Sequence, residues 1–173
     1  MYSGPKVTLE QVLDNRERRA NRQREWVEAH SLPLVSFTIN MMGEVKLNQI
    51  SRTAFSKGYE AIVNACAVND IELVSQEKYS SDCGPELLIS AGNIKPEALK
   101  RVMVTAEDSH PLGRLFDIDV FDEQGQPLSR DSYGLPRRKC FVCGNDAKIC
   151  ARSRAHPLPA LIDKMSEMID DCE

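Results

Sequence analysis

His110-Pro111-Leu112-Gly113-Arg114-Leu115-Phe116-Asp117-Ile118-Asp119-Val120 is the stretch on which the reading of this chain turns. Side chains alternate across a strand, so Phe116, Ile118 and Val120 enter a core while Asp117 and Asp119 share the opposite face. Two like charges held on one face repel unless a proton or a cation neutralises them, and a divalent ion with oxygen ligands is one solution. The same alternation also suits a plain surface strand, and spacing alone leaves both readings open. Gly113 permits close backbone approach and Arg114 offers a bidentate phosphate donor, which makes the stretch a candidate Mg2+ site for phosphoryl or nucleotidyl chemistry. His110 adds a titratable group that could act as general base or stay solvated.

Outward from this strand, Thr8 caps a helix over about 8–29 that Pro33 stops, and Leu34 to Asn40 alternates as a strand. Residues 51–69 carry Phe55, Tyr59, Ile62, Val63 and Cys66 at helical spacing; strands follow at about 71–79 and 86–91, and Pro96 opens a helix to about 107. The Asp-bearing strand runs over about 114–121, with a turn at Glu123 to Gln126 into a short partner at about 127–130. From residue 34 the order is strand, helix, strand, strand, helix, strand, plus one hairpin strand. That order predicts an α+β fold, a ferredoxin-like split βαβ sandwich with helices on one sheet face. It adds an N-terminal helix and a C-terminal cysteine-rich hairpin plus helix, the last at about 159–171. A single domain over 1–173 is expected, its core at about 34–131 and its cysteine-rich appendage at about 136–158.

The second constellation is Cys140-x2-Cys143-x6-Cys150-x5-His156, which fits either a tetrahedral Zn2+ set or reduced thiols packing the hairpin. Six cysteines without an export signal read as thiols or metal ligands rather than a disulfide frame. From Arg137 to Arg154 six basic residues face one acid, Asp146, whereas Asp163, Glu167, Asp170, Asp171 and Glu173 make the tail acidic. Arg16, Arg19 and Arg22 line one face of the first helix, where salt bridges to Asp14, Glu17 and Glu25 would equally explain them.

A net charge of −4 and few aromatics argue against a nucleic-acid partner. No apolar run reaches the roughly 18 residues of a membrane helix, and Met1-Tyr2-Ser3-Gly4-Pro5 lacks a signal-peptide core, so a cytoplasmic protein is expected. Walker, His-Glu-x-x-His and Gly-x-Ser-x-Gly patterns are absent, so those enzyme classes find no support. A zinc-stapled module that binds protein or RNA without catalysis is the reading of a different class.

Four blocks resemble the citrate lyase holo-acyl-carrier-protein synthases, also called apo-citrate lyase phosphoribosyl-dephospho-CoA transferases. They are Arg16-Glu17-Arg18-Arg19-Ala20-Asn21-Arg22-Gln23; Leu34 through Lys46; Gly113 through Val120; and Arg138-Lys139-Cys140-Phe141-Val142-Cys143 through Cys150-Ala151-Arg152-Ser153-Arg154-Ala155-His156. The chain departs from the family at Met42 and Glu44, where prolines flank the glycine. The cysteine block separates this family from the similar transferase of malonate decarboxylase.

The resemblance implies transfer of a prosthetic group from triphosphoribosyl-dephospho-CoA to a serine of the apo acyl carrier subunit of citrate lyase, with release of diphosphate. It implies Mg2+ on Asp117 and Asp119, phosphate contacts from Arg114, Arg152 and Arg154, and His110 helping to deprotonate the serine. Asn40 and Lys46 follow as substrate contacts. Arg16 and Arg19 lie on a helix face suited to substrate or to an acidic carrier. Asp131, Asp122 and Glu86 are the conceivable further metal ligands.

Overall fold

The computed structural model describes residues 1–172. Its first helix, α1 (Leu9–His30), starts in a reciprocal cap: Gln11 N–H donates to the Thr8 hydroxyl at 3.2 Å, and Thr8 N–H donates to Gln11 Oε1 at 2.8 Å. Ser31, in the left-handed conformation at φ 52°, closes the helix before Pro33. Asn48 and Ser51 repeat the device for α2 (Gln49–Val68), whose Ile50, Ala54, Ile62 and Cys66 are buried on one stripe. Pro96 opens α3 (Pro96–Ser109).

Five strands, β1 (Leu34–Ile39), β2 (Glu72–Ser81), β3 (Gly84–Gly92), β4 (Phe116–Phe121) and β5 (Pro127–Leu128), form one sheet in the order β2-β3-β1-β4-β5. Every pairing is antiparallel. Val35, Phe37, Leu87, Ile89, Phe116, Ile118 and Val120 point from the sheet into the main core, packed with α2 and α3. α2 approaches the sheet closely at Gly58, where a Cβ would lie 2.3 Å from Phe37 Cζ, so a larger residue would displace that buried ring. Each fully buried Phe or Leu contributes roughly 1.5–3 kcal/mol by leaving water.

α2 and α3, the two helices of the βαβ order, share the core face of the sheet, and the added N-terminal helix α1 covers the opposite one. Trp26 and Val27 of α1 pack on Leu34, Leu88 and Tyr79 of that face. Farther toward its start, α1 presents polar groups instead: Gln23 Nε2 donates to Ser36 Oγ at 2.9 Å and Asn15 Nδ2 to Glu86 Oε2 at 3.1 Å. One helix is thus apolar where it seals the sheet and polar where it borders the aspartates.

The cysteine-rich segment is more than a hairpin. A lone bridge pairs Lys139 with Asp146, and then α4 (Ala147–Ser153) begins on Asp146, whose carboxylate accepts from Lys148 N–H. Beyond it α5 (Leu158–Cys172) buries Met165 and Ile169 completely in the main core. No helix among the described residues is long and apolar enough to cross a membrane; Glu173, the last acid of the tail, lies outside them.

Candidate active site

Strand register assembles the first part of the site. Thr38 of β1 lies between Glu86 of β3 and Asp117 of β4, and Ser36 lies opposite Asp119. Glu86 is buried, ion-paired with Arg19 at 2.9 Å and hydrogen-bonded by Asn15. Its charge is therefore committed to α1 rather than to a metal. Beside it a narrow cleft of about 160 Å³ is lined by Arg16, Arg19, Asn40, Lys46 and Asp117. Lys46 Nζ donates to Met41 carbonyl at 2.7 Å; burial and, after it, the nearby Arg16 charge pull its pKa down. The structure thus brings four of the expected substrate residues, Arg16, Arg19, Asn40 and Lys46, to one of the expected aspartates.

A wider trough of about 540 Å³ continues from Asp117 past Asp119 to Lys100, Glu107, Arg138 and Lys148. Asp119 keeps solvent access, yet the protein around it and then the like charge of Asp117 push its carboxyl up to about 6 against the pull of Lys100, Arg19 and Arg138. Glu107 is buried, 3.6 Å from Arg138 and 3.7 Å from Arg130. Burial nonetheless pushes it up to about 7, with Arg138, Arg130 and Lys100 opposing and Asp117 adding. Its Oε2 has no hydrogen-bond partner. Lys100 and Glu107 were not anticipated. Their signal was a seven-residue spacing that keeps both on one helix face, interrupting the stripe of Leu99 and Met103 with two charges.

The loop before β4 does not present its cationic groups freely. Arg114 Nη1 donates to the carbonyls of Lys139 and Cys140 at 2.8 and 2.7 Å, and Arg138 Nη2 returns a bond to Gly113 carbonyl at 2.8 Å. Gly113 must be glycine, since a Cβ would come within 1.6 Å of Glu107 carbonyl oxygen. His110 is turned away from the aspartates: Nδ1 accepts from Leu112 N–H at 3.0 Å and its ring leans on Phe116, whose side chain faces the main core. Burial, helped by Lys57, pulls its pKa down. Of the other expected phosphate contacts, Arg154 lines a neighbouring pocket, and Arg152 stands exposed in the last turn of α4, lining none of these clefts. Asp122 accepts from Gln124 and Gln126 N–H within its turn, and Asp131 pairs with Arg137 at 3.2 Å.

Cys140, Cys143, Cys150 and His156 converge, their ligand atoms all within 4.8 Å of one another. Tetrahedral thiolates around zinc stand about 3.8 Å apart at the usual bond length, so the set needs only small adjustment to close on an ion. Val142 N–H points at Cys140 Sγ at 3.4 Å, and Gly144, at φ 77°, turns the knuckle back. His156 Nε2 is buried without a hydrogen-bond partner. Asn145 N–H, with His156 and Cys150, lowers the Cys143 thiol to about 6, while the bond with Cys143 and burial raise Cys150 to about 12.

Residues 7–172 match the family model described as apo-citrate lyase phosphoribosyl-dephospho-CoA transferase. A Vibrio cholerae serotype O1 protein, named probable apo-citrate lyase phosphoribosyl-dephospho-CoA transferase, is 44% identical over 165 residues, 95% of this chain and 93% of that protein. Proteins of the same name, without the qualifier, from Shigella boydii and Escherichia coli O157:H7 are each 36% identical over 167 residues, 96% of this chain and 91% of theirs.

Proposed function

The chain belongs to the apo-citrate lyase phosphoribosyl-dephospho-CoA transferase family, and from that premise we propose that it carries a phosphoribosyl-dephospho-CoA group to a serine of the citrate lyase acyl carrier subunit. The donor is the triphosphate precursor. A bond forms between the serine oxygen and the phosphorus next to the ribose, the bond from that phosphorus to the departing diphosphate breaks with its electron pair staying on the diphosphate oxygen, and the serine proton passes to solvent. Because the nucleophile belongs to the partner, the enzyme needs none of its own. The observation that carries the reading is Asp117, which lines both the arginine cleft and the wider trough, with cationic side chains lining each.

Arg16 and Lys46 would neutralise the triphosphate, with Asn40 as a neutral donor at the junction of the clefts. Arg19 takes a share, though its first partner is Glu86. Asp117 and Asp119 fit Mg2+, since they are two hard oxygen donors two residues apart on one strand face. Held by these two carboxylates, Mg2+ would supply positive charge against the triphosphate and the departing diphosphate. His110 has no part in this proposal, because its Nδ1 is occupied by Leu112.

We read the cysteine and histidine set as a structural Zn2+ site: four ligands close the coordination shell and leave no open position for chemistry. The sheet order with two crossover helices supports a ferredoxin-like core, and free thiols suit a reducing cytoplasm. Carrier subunits of acidic character would meet the basic segment between Arg137 and Arg154.

The test is to incubate the protein with Mg2+, triphosphoribosyl-dephospho-CoA and apo carrier subunit, and to weigh the carrier. A mass increase equal to the prosthetic group is expected. An unchanged carrier, with the protein folded and zinc-loaded, would refute transfer and favour a zinc-stapled binding module.

A further inference from the structure

Cys140, Cys150 and His156 of the zinc-type cluster form part of the lining of a pocket of about 590 Å³ to which the transfer reading assigns no role. Met42, Phe141, Ala151, Pro157, Leu158 and Leu161 supply its apolar lining. The volume falls within the range of ligand sites, and a mostly apolar lining with a few convergent charges is their usual character. Arg114, Arg138, Lys139 and Arg154 border it. Arg114 and Arg138 are engaged by backbone carbonyls, and Arg138 also faces Glu107. Among the described residues Lys139 and Arg154 enter no ion pair, so two uncommitted cations stand beside an apolar hollow. Such a site fits a molecule that is anionic at one point and apolar beyond it.

Asn40 lines this pocket, the arginine cleft and the Asp117–Asp119 trough alike. A single elongated ligand could therefore lay its polyphosphate at the aspartates and its other end in the pocket. Dephospho-CoA has the required chemistry: a diphosphate for Lys139 and Arg154, and an adenine ring and pantetheine arm for Phe141, Leu158 and Leu161. We propose that this pocket binds the dephospho-CoA part of the donor, separately from the triphosphate subsite. The proposal rests on the transfer reading above, and it assigns the cysteine-rich appendage a specificity role in addition to its structural one.

The test titrates the full-length, zinc-loaded protein with dephospho-CoA and, in a separate arm, with Mg2+-tripolyphosphate, following heat. Leu158→Trp enlarges an exposed residue at the start of α5 that lines this pocket and neither the arginine cleft nor the trough. It should weaken dephospho-CoA at least tenfold and leave tripolyphosphate within twofold. Lys139→Ala should weaken dephospho-CoA alone, several-fold. In the wild-type protein the two probes should bind together without competing. Competition between them, or dephospho-CoA affinity unmoved by Leu158→Trp, would overturn the proposal by seating the nucleotide in the arginine cleft. So would absence of dephospho-CoA binding in a protein that still binds tripolyphosphate, or displacement of bound dephospho-CoA by apo carrier subunit. Carrier labelling, measured in parallel, separates the two ideas: labelling with a failed pocket test leaves the transfer reading intact.

Discussion

Replacing Glu107 by Gln keeps its shape and removes its titration, which isolates the cost of a buried carboxylate. The side chain is 5% exposed, and burial outweighs Arg138, Arg130 and Lys100 so that its pKa rises from 4.5 to about 7. A raised acid pKa means the folded protein holds a proton that the unfolded chain has released. Stability from this group is therefore full below pH 4.5 and is lost as pH climbs through 7. At about 1.4 kcal/mol per unit the shift is worth roughly 3 kcal/mol, most of it spent between pH 5 and pH 8. Urea unfolding followed by circular dichroism at constant ionic strength reads this directly. With an m-value of about 2 kcal/mol per molar, the wild-type midpoint should fall relative to Glu107→Gln by about 1–2 M across that window. The attraction of Arg130 and Arg138 is already contained in that net shift, so it adds no second pH trend. A separation of the two midpoints that stays constant from pH 5 to pH 8 would refute the reasoning, since Glu107 would then not be titrating in that window.

Four further outcomes are expected. Asp119→Asn should slow carrier labelling roughly 10²–10³-fold by removing a charge proposed to hold Mg2+, with an unchanged circular dichroism spectrum. Elemental analysis should find one zinc per chain, and Cys143→Ser, at an exposed position, should lose it and open the segment around α4 to protease before the sheet unfolds. Arg19→Ala should lower stability by about 3 kcal/mol in denaturant melts because Glu86 is left buried with only Asn15, whereas Arg16→Ala should reduce labelling and leave the melt unchanged. Gly113→Ala should cost at least about 1–3 kcal/mol, since its Cβ meets Glu107 carbonyl and forces the turn apart.

Local signals carried much of the fold. Thr8 with Gln11, Pro33, Pro96 and the alternation of residues 34–40 and 116–121 are readable because caps, prolines and period-two burial act over a few residues. What sits across the sheet is a long-range matter. α1 could have joined either face, and its choice depends on Trp26 and Val27 meeting Leu34 and Leu88, a pairing that no spacing within the helix reveals. The cysteine segment looked like a hairpin because turn residues flank it, yet Asp146 caps a helix through Ala147 to Ser153. In the site, Asp117 and Asp119 were legible from alternation, while Lys100 and Glu107 reach the same trough only because α3 lies along β4.

The motifs that seemed separate in the chain turn out to hold one another. Arg114 belongs to the block that opens β4 and Arg138 to the block that opens the cysteine knuckle. Each gives its bond to the other's backbone, across 25 or more residues of chain. Glu107 stands behind Arg138, and Gly113 rests directly on the Glu107 carbonyl. A guanidinium fixed in this way is a poor mobile phosphate clamp and a good hinge pin. It ties the wall carrying Cys140 and Phe141 to the strand carrying Asp117. Besides Lys100 and Lys148 in the trough, the cations outside the clasp that line these hollows without an ion pair are, among the described residues, Arg16 and Lys46 on one side and Lys139 and Arg154 on the other. Their separation by the aspartate strand is what makes two anionic stations, one for the leaving end of a substrate and one for the end that is kept, the natural reading of this surface.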